Sequence, residues 1–102
     1  MKFHLEISEY CKQDVIHSAQ WYAFRQPGLD KKFISEFEAT IELIGQNPEI
    51  GRSTALEMRR FPIQIFPYAL YYQIGADVIR IIACLHGARQ PSDIERELEE
   101  RK

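Results

Sequence analysis

Residues 66–91 read FPYALYYQIGADVIRIIACLHGARQP. Two apolar-rich runs flank Gly75-Ala76-Asp77, and that spacing predicts a β-hairpin with strands at about Pro67–Ile74 and Val78–Leu85. The second run, Ile79-Arg80-Ile81-Ile82-Ala83-Cys84-Leu85, is apolar on both faces, as a central strand covered from both sides should be. It stops at His86, Gly87, Ala88, Arg89, Gln90 and Pro91. An imidazole and a guanidinium are therefore expected together at one rim of the sheet, where a small protein has room for chemistry or recognition.

Upstream, a third strand is expected at about Met58–Ile65. Pro62 and Pro67 remove ladder donors there, so that strand should be short, bent or near an edge. Glu49 to Glu57 reads as a loop. At the other end of the chain, Lys2 to Ile7 alternates, with Phe3, Leu5 and Ile7 on one face, which predicts a first strand with one wet side.

Between these strands lie two amphipathic patterns. Ser8 is an N-cap candidate, and Glu9 suits the first turn of a helix running to about Gln26. Its expected buried stripe is Cys11, Val15, Ala19 and Tyr22, widened by Ile16 and Ala23. Pro27-Gly28 breaks it. A second helix starts near Leu29–Asp30 and repeats Phe33, Phe37, Ile41 and Ile44, with Ile34 alongside. Asn47-Pro48 ends it, because Asn tolerates the left-handed conformation and Pro cannot continue the helix. Ser92-Asp93-Ile94-Glu95 has the form of a capping box, but Ile94 and Leu98 are the only apolar anchors that follow, so that helix should be marginal, docked lightly or frayed. The expected fold class is α+β: an N-terminal strand, an antiparallel two-helix hairpin packed on a mostly antiparallel four-stranded sheet, and a short C-terminal helix or tail over 91–102.

With 102 residues, one domain spanning 1–102 is expected, and 45% hydrophobic content suffices for a core without metal or disulfide staples. No apolar run approaches the roughly 20 residues that cross a bilayer, and MKFHLEISEYCK lacks the apolar region of a signal peptide. Cys11 and Cys84 have no metal-ligand spacing; they read as core residues of a cytoplasmic protein, with a disulfide between them as the alternative. Neither a metal nor a cofactor is expected. The net charge of −2 conceals an asymmetry. Residues 1–49 carry five Lys/Arg and eight Asp/Glu, and residues 50–92 carry five Arg against Glu57 and Asp77. The sheet half is thus basic, and a basic face suits phosphates or an acidic partner.

Single residues admit bland readings as well. His86 suits a hydrogen-bonded structural role as much as proton transfer. Arg89 suits a turn cap or an ion pair with the acidic tail as much as a partner contact. Arg59 and Arg60 alternate faces if they lie in a strand, and one of them should pair with an acid of the helical hairpin. Arg80 interrupts an apolar strand and must reach an edge or a carboxylate. Tyr68 and Tyr72 share one face and Tyr71 takes the other. Asp14 and His17 form a local i,i+3 pair. Trp21 and Phe24 lie partly off the core stripe and suit either closing the core or an apolar anchor for a partner.

The order of these elements resembles the RelE/ParE superfamily of small bacterial toxins from type II toxin–antitoxin modules. The residues that carry the resemblance are Trp21-Tyr22, Pro27-Gly28-Leu29, Phe33, Asn47-Pro48, Arg59-Arg60, Phe66-Pro67-Tyr68, Leu70, Tyr72 and His86-x-x-Arg89-x-Pro91. The resemblance implies a growth-inhibiting toxin neutralised by a cognate, ParD-like antitoxin that wraps it, so a hetero-oligomer with no membrane partner. It also implies one of two targets. ParE-like members bind DNA gyrase and block replication. RelE-like members are ribosome-dependent mRNA endonucleases, in which His86 and Arg89 would be catalytic without a metal. A third alternative is a toxin fold that has lost toxicity and serves as a regulator with its antitoxin.

The ParE-like branch is favoured. RelE-like nucleases usually carry arginine where this chain has Ala69, lysines in the preceding strand where it has Gln64, and a tyrosine near the C-terminus, whereas here none follows Tyr72. Under either active reading the resemblance assigns target binding to Arg59, Arg60, Arg80, His86 and Arg89, and antitoxin binding to Trp21, Phe24, Tyr68 and Tyr72.

Overall fold

The computed structural model describes residues 3–101. Lys2 and Lys102, included in the expected first strand and in the expected tail, lie outside the described residues. In chain order the elements are β1 (His4–Ile7), α1 (Glu9–Arg25), α2 (Leu29–Gln46), β2 (Arg52–Ser53), β3 (Arg59–Pro62), β4 (Tyr68–Ile74), β5 (Val78–His86) and α3 (Pro91–Arg101). The strands form one sheet in the order β1-β5-β4-β3-β2. β1 runs parallel to β5, and the other pairs are antiparallel. The α+β architecture expected from the sequence is present, with a mixed five-stranded sheet in place of four strands. The added strand, β2, is two residues long and lies within the stretch read as a loop. Two residues carry no periodicity, so nothing in the sequence marks them.

α1 and α2 cover one face of the sheet. Ser8 caps α1 as expected, its Oγ accepting the Cys11 N–H at 3.0 Å. Cys11, Ala19 and Tyr22 are buried, and Ser18 joins them. Ile16 is instead 45% exposed, because it stands about 100° round the helix from Val15 and off the stripe. On α2, Phe33, Phe37 and Ile44 are buried with Thr40, whose hydroxyl donates to Glu36 O at 2.7 Å; Ile34 faces solvent. Gly28 between the helices sits at φ +90°, a conformation that favours glycine. α2 ends at Asn47-Pro48 as expected, with Asn47 at φ −144° and not in the left-handed region it tolerates. The Asn47 N–H bonds Leu43 O at 3.0 Å, and Pro48 then opens a single 3₁₀ turn.

β5 is central, with both faces covered. A bulge makes this possible: Tyr71 pairs with Ala83 but Tyr72 pairs with Ile81, leaving Ile82 extra. Ile79, Ile81 and Cys84 consequently join the core beneath the helical hairpin, whereas Ile82, Ala83 and Leu85 join a second core with Met58, Ala69, Tyr71 and Leu98. α3 covers that second face. It begins with Pro91 at its first position, where the missing N–H is not needed, so Ser92 lies inside the first turn and does not cap it.

α3 is held by more than its two apolar anchors, for a reason outside its own sequence pattern. Arg101 donates to both carboxylate oxygens of Asp14, at 2.7 and 2.9 Å, and Asp14 Oδ2 also accepts the Cys84 N–H at 2.9 Å. The side chains are 7% and 15% exposed. Asp14 therefore does not make the expected local pair with His17; it ties α1, β5 and α3 together. Burial works against the Arg101 charge, but Asp14 and Glu97 outweigh it and hold its pKa above the ordinary value. Cys11 and Cys84 are free and buried, as expected of core residues. Burial, with Asp14 nearby, pushes the Cys11 thiol up to about 12 and Cys84 up as well.

Removing one partner of a buried pair strands the other. Asp14→Ala should lower unfolding stability by about 3 kcal/mol, and Arg101→Ala added to it should cost little more. Urea denaturation of the single and double variants measures this, and a loss below about 1 kcal/mol for Asp14→Ala contradicts it.

Candidate functional site

The last turn of β5 carries a groove on each face of the sheet. On the α3 side, a groove of about 350 Å³ is lined by Arg52, Arg60 and Arg89 above Tyr71, Ile94 and Leu98. Arg60 Nε donates to the Tyr71 hydroxyl at 3.2 Å, so a buried tyrosine orients that guanidinium. Arg89 leaves the β5–α3 turn and donates to Glu97 Oε1 at 3.0 Å, the ion pair with the acidic tail that the sequence allowed. Glu97 also lies 3.4 Å from Arg101 Nε, a distance of attraction without hydrogen-bond alignment.

On the α1 side, a more apolar groove of about 490 Å³ runs between His17, Ser18, Trp21 and Tyr22 of the helix and Pro67, Tyr68 and His86 of the sheet. The His86 ring meets the Tyr68 ring edge-on at 5.1 Å, and its Nδ1 accepts the Ala88 N–H at 3.0 Å. Beside this groove, Trp21 is 52% exposed with the Arg25 guanidinium stacked 4.6 Å from its ring centre, and Phe24 is 92% exposed. An apolar side chain that exposed on a helix next to an open groove has no role in the core.

The predicted site residues are thus divided. Trp21, Phe24, Tyr68 and His86 gather on the helical side, and Arg60 and Arg89 gather on the α3 side. The expectation that His86 and Arg89 emerge together fails. The two residues are three apart, but β5 ends at His86 and the following turn carries Arg89 round to the other face. Three further candidates have structural work. Arg59 donates to Gly51 O at 2.7 Å and Glu49 O at 3.3 Å, holding backbone rather than pairing with an acid of the helical hairpin. Arg80 meets Glu6 at 3.3 Å across the β1–β5 pair, toward the other end of β5. Tyr72 is wholly buried, its hydroxyl donating to Pro48 O at 2.6 Å and accepting the Gly51 N–H at 2.9 Å. A Cβ at Gly51 would sit 2.5 Å from that hydroxyl, which explains the glycine. Arg52 was missed; its only signal is the register that sets it opposite Arg60. Among the described residues, no three His, Cys, Asp or Glu side chains converge as metal ligands, and no helix is long and apolar enough to cross a membrane.

These elements and their order define a toxin fold of the kind found in type II toxin–antitoxin modules. The family model for the ParE toxin of the type II toxin–antitoxin system parDE matches residues 5–91, and the chain belongs to that family. Among solved structures, the chromosomal ParDE system of P. aeruginosa is similar in fold, with a TM-score of 0.75 at 12% identity, over 83% of this chain and 96% of that one. Curated protein sequences give no match.

The arginines also set an acid dependence. The hydrogen bond from Arg89, helped by the charges of Arg101 and Arg89 and opposed by burial, holds the Glu97 carboxyl below its ordinary value of 4.5. A depressed acid contributes stability that is complete above its unfolded value and is lost as pH falls through its folded value. Glu97→Gln should therefore flatten the decline of the urea midpoint below about pH 4.5; a decline as steep as the parent's contradicts the pairing.

Proposed function

We propose that this ParE-family toxin arrests bacterial growth by binding DNA gyrase and blocking replication, and that a ParD-like antitoxin neutralises it. The contact needs no bond chemistry from the toxin and no cofactor. The family match carries the reading. The geometry adds support: metal-free RNA cleavage asks for a proton-transfer group and phosphate-binding cations in one cleft, and here His86 and the Arg60–Arg89 pair open on opposite faces of the sheet. His86, packed on Tyr68 and bonded to Ala88, supports the structural reading of that residue.

The two faces divide the work. Arg60 and Arg89, with Arg52, form the target contact. Trp21, Phe24 and the Tyr68 side of the hairpin form the antitoxin contact, where an amphipathic helix or an extended apolar segment can cover them. Tyr72 and Arg59 drop out of the contact set because each is engaged within the fold, and Arg80 because it lies toward the far end of β5, in an exposed pair with Glu6.

The purified toxin should inhibit gyrase supercoiling, and Arg60→Ala with Arg89→Ala should raise the concentration needed by about tenfold, the scale of losing charged contacts at an interface. Unchanged supercoiling with the parent protein, or codon-phased cuts in cellular mRNA after induction, would overturn the reading in favour of the nuclease.

A further inference from the structure

Arg52 of β2 and Arg60 of β3 are directly opposed residues of an antiparallel pair, so their side chains project from the same face. Like charges in that position repel, and a sheet gains nothing from them. Among the described residues, neither has a carboxylate within ion-pair distance. The arrangement is nonetheless fixed: the next residue along the same rung, Tyr71, is buried and holds Arg60 Nε. Arg89 completes the wall, and Glu95 is the one acid that lines the groove. Arg89 is neutralised by its ion pair with Glu97, so Arg52 and Arg60 against Glu95 leave the excess of positive charge, to which the N-terminal end of α3, at Pro91, adds its dipole.

The floor decides which anion fits. It is built from Ala55, Ile94, Leu98 and Tyr71, and Tyr71 is 4% exposed, so no aromatic face is presented for a nucleobase to stack on. The solvent side of α3 is net acidic, with Glu99 and Glu100 beside the Asp93–Arg96 pair, and disfavours an extended phosphate backbone. A short apolar slot between oriented guanidiniums suits a carboxylate next to an aliphatic side chain.

We infer that the groove between β2–β3 and α3 is a docking site for an acidic protein segment with an apolar anchor, supplied by the growth target, whose carboxylates bridge Arg52 and Arg60. The inference rests on the target-contact reading above and names the chemistry of that contact. The repulsion between the two arginines is relieved when the segment binds.

Fluorescence anisotropy tests this with the full chain and three labelled probes: a short peptide of glutamates around a leucine, the same peptide with glutamine at each glutamate, and oligo-dT. The glutamate probe should bind at least about tenfold tighter than either other probe and weaken as salt rises. Arg52→Gln should weaken it by about tenfold while leaving the melting temperature equal or higher, since the change removes a repulsion; Lys31→Gln, on the far helical layer, should leave binding as it is. Equal binding of the glutamate and glutamine probes, preference for oligo-dT, or unaltered affinity in Arg52→Gln overturns the inference. A lower melting temperature in Arg52→Gln with unaltered probe affinity assigns the pair a structural role instead. Glutamate-probe binding without inhibition of gyrase supercoiling keeps the groove and removes gyrase as the source of its segment.

Discussion

The carboxylate of Asp14 is the constraint on which the two-layered arrangement depends. β1 follows β5 only as far as the Ile7–Ile81 pair. Beyond that point side chains supply what a neighbouring strand would have supplied. Ser8 Oγ donates to Ile82 O at 3.0 Å, Asp14 accepts the Cys84 N–H, and Arg101 donates to Ile82 O at 3.3 Å. A buried backbone N–H or C=O without a partner costs on the order of 1–3 kcal/mol, so this edge could not have been left bare. One aspartate on α1 thereby satisfies the central strand and anchors the end of α3 from the opposite face.

That anchor makes the second face usable. α3 has few apolar residues, and Leu98 with Ile94 alone would hold it weakly. The Arg101 clasp fixes its C-terminal end, the Arg89–Glu97 pair ties it to the turn before it, and the helix forms one wall of the arginine groove. The bulge on β5 completes the arrangement by turning Ile82, Ala83 and Leu85 toward α3 while Ile79, Ile81 and Cys84 remain beneath the hairpin. A four-residue first strand, a bulge and an ion pair thus yield a small sheet with a separate groove on each face.

Most of the fold could be read from local pattern. The four-residue spacing of Phe33 and Phe37, the Pro27-Gly28 break, the Ser8 cap and the apolar run of β5 each follow from neighbours along the chain, and each is present. Several of the failures depend on pairings that no local pattern marks. The Asp14–Arg101 pair joins residues 87 apart, and no periodicity marks it. The bulge shifts register without altering composition. Arg52 gains meaning only once β2 sets it against Arg60. The site was legible as a set of residue types at the end of β5, but which face each one serves was not. Reading His86 and Arg89 as one constellation assumed that three residues of separation keep side chains together, and the turn after His86 separates them.

The central claim is that the target meets the α3 face and not the face carrying Trp21 and His86. Hydrogen–deuterium exchange of the toxin, free and bound to gyrase, tests it most directly. The account requires new protection at residues 52–60 and 87–98, with the exposed turn of α1 around Trp21 and Phe24 exchanging as in the free protein. Protection concentrated on that turn, with the arginine face unchanged, would contradict it.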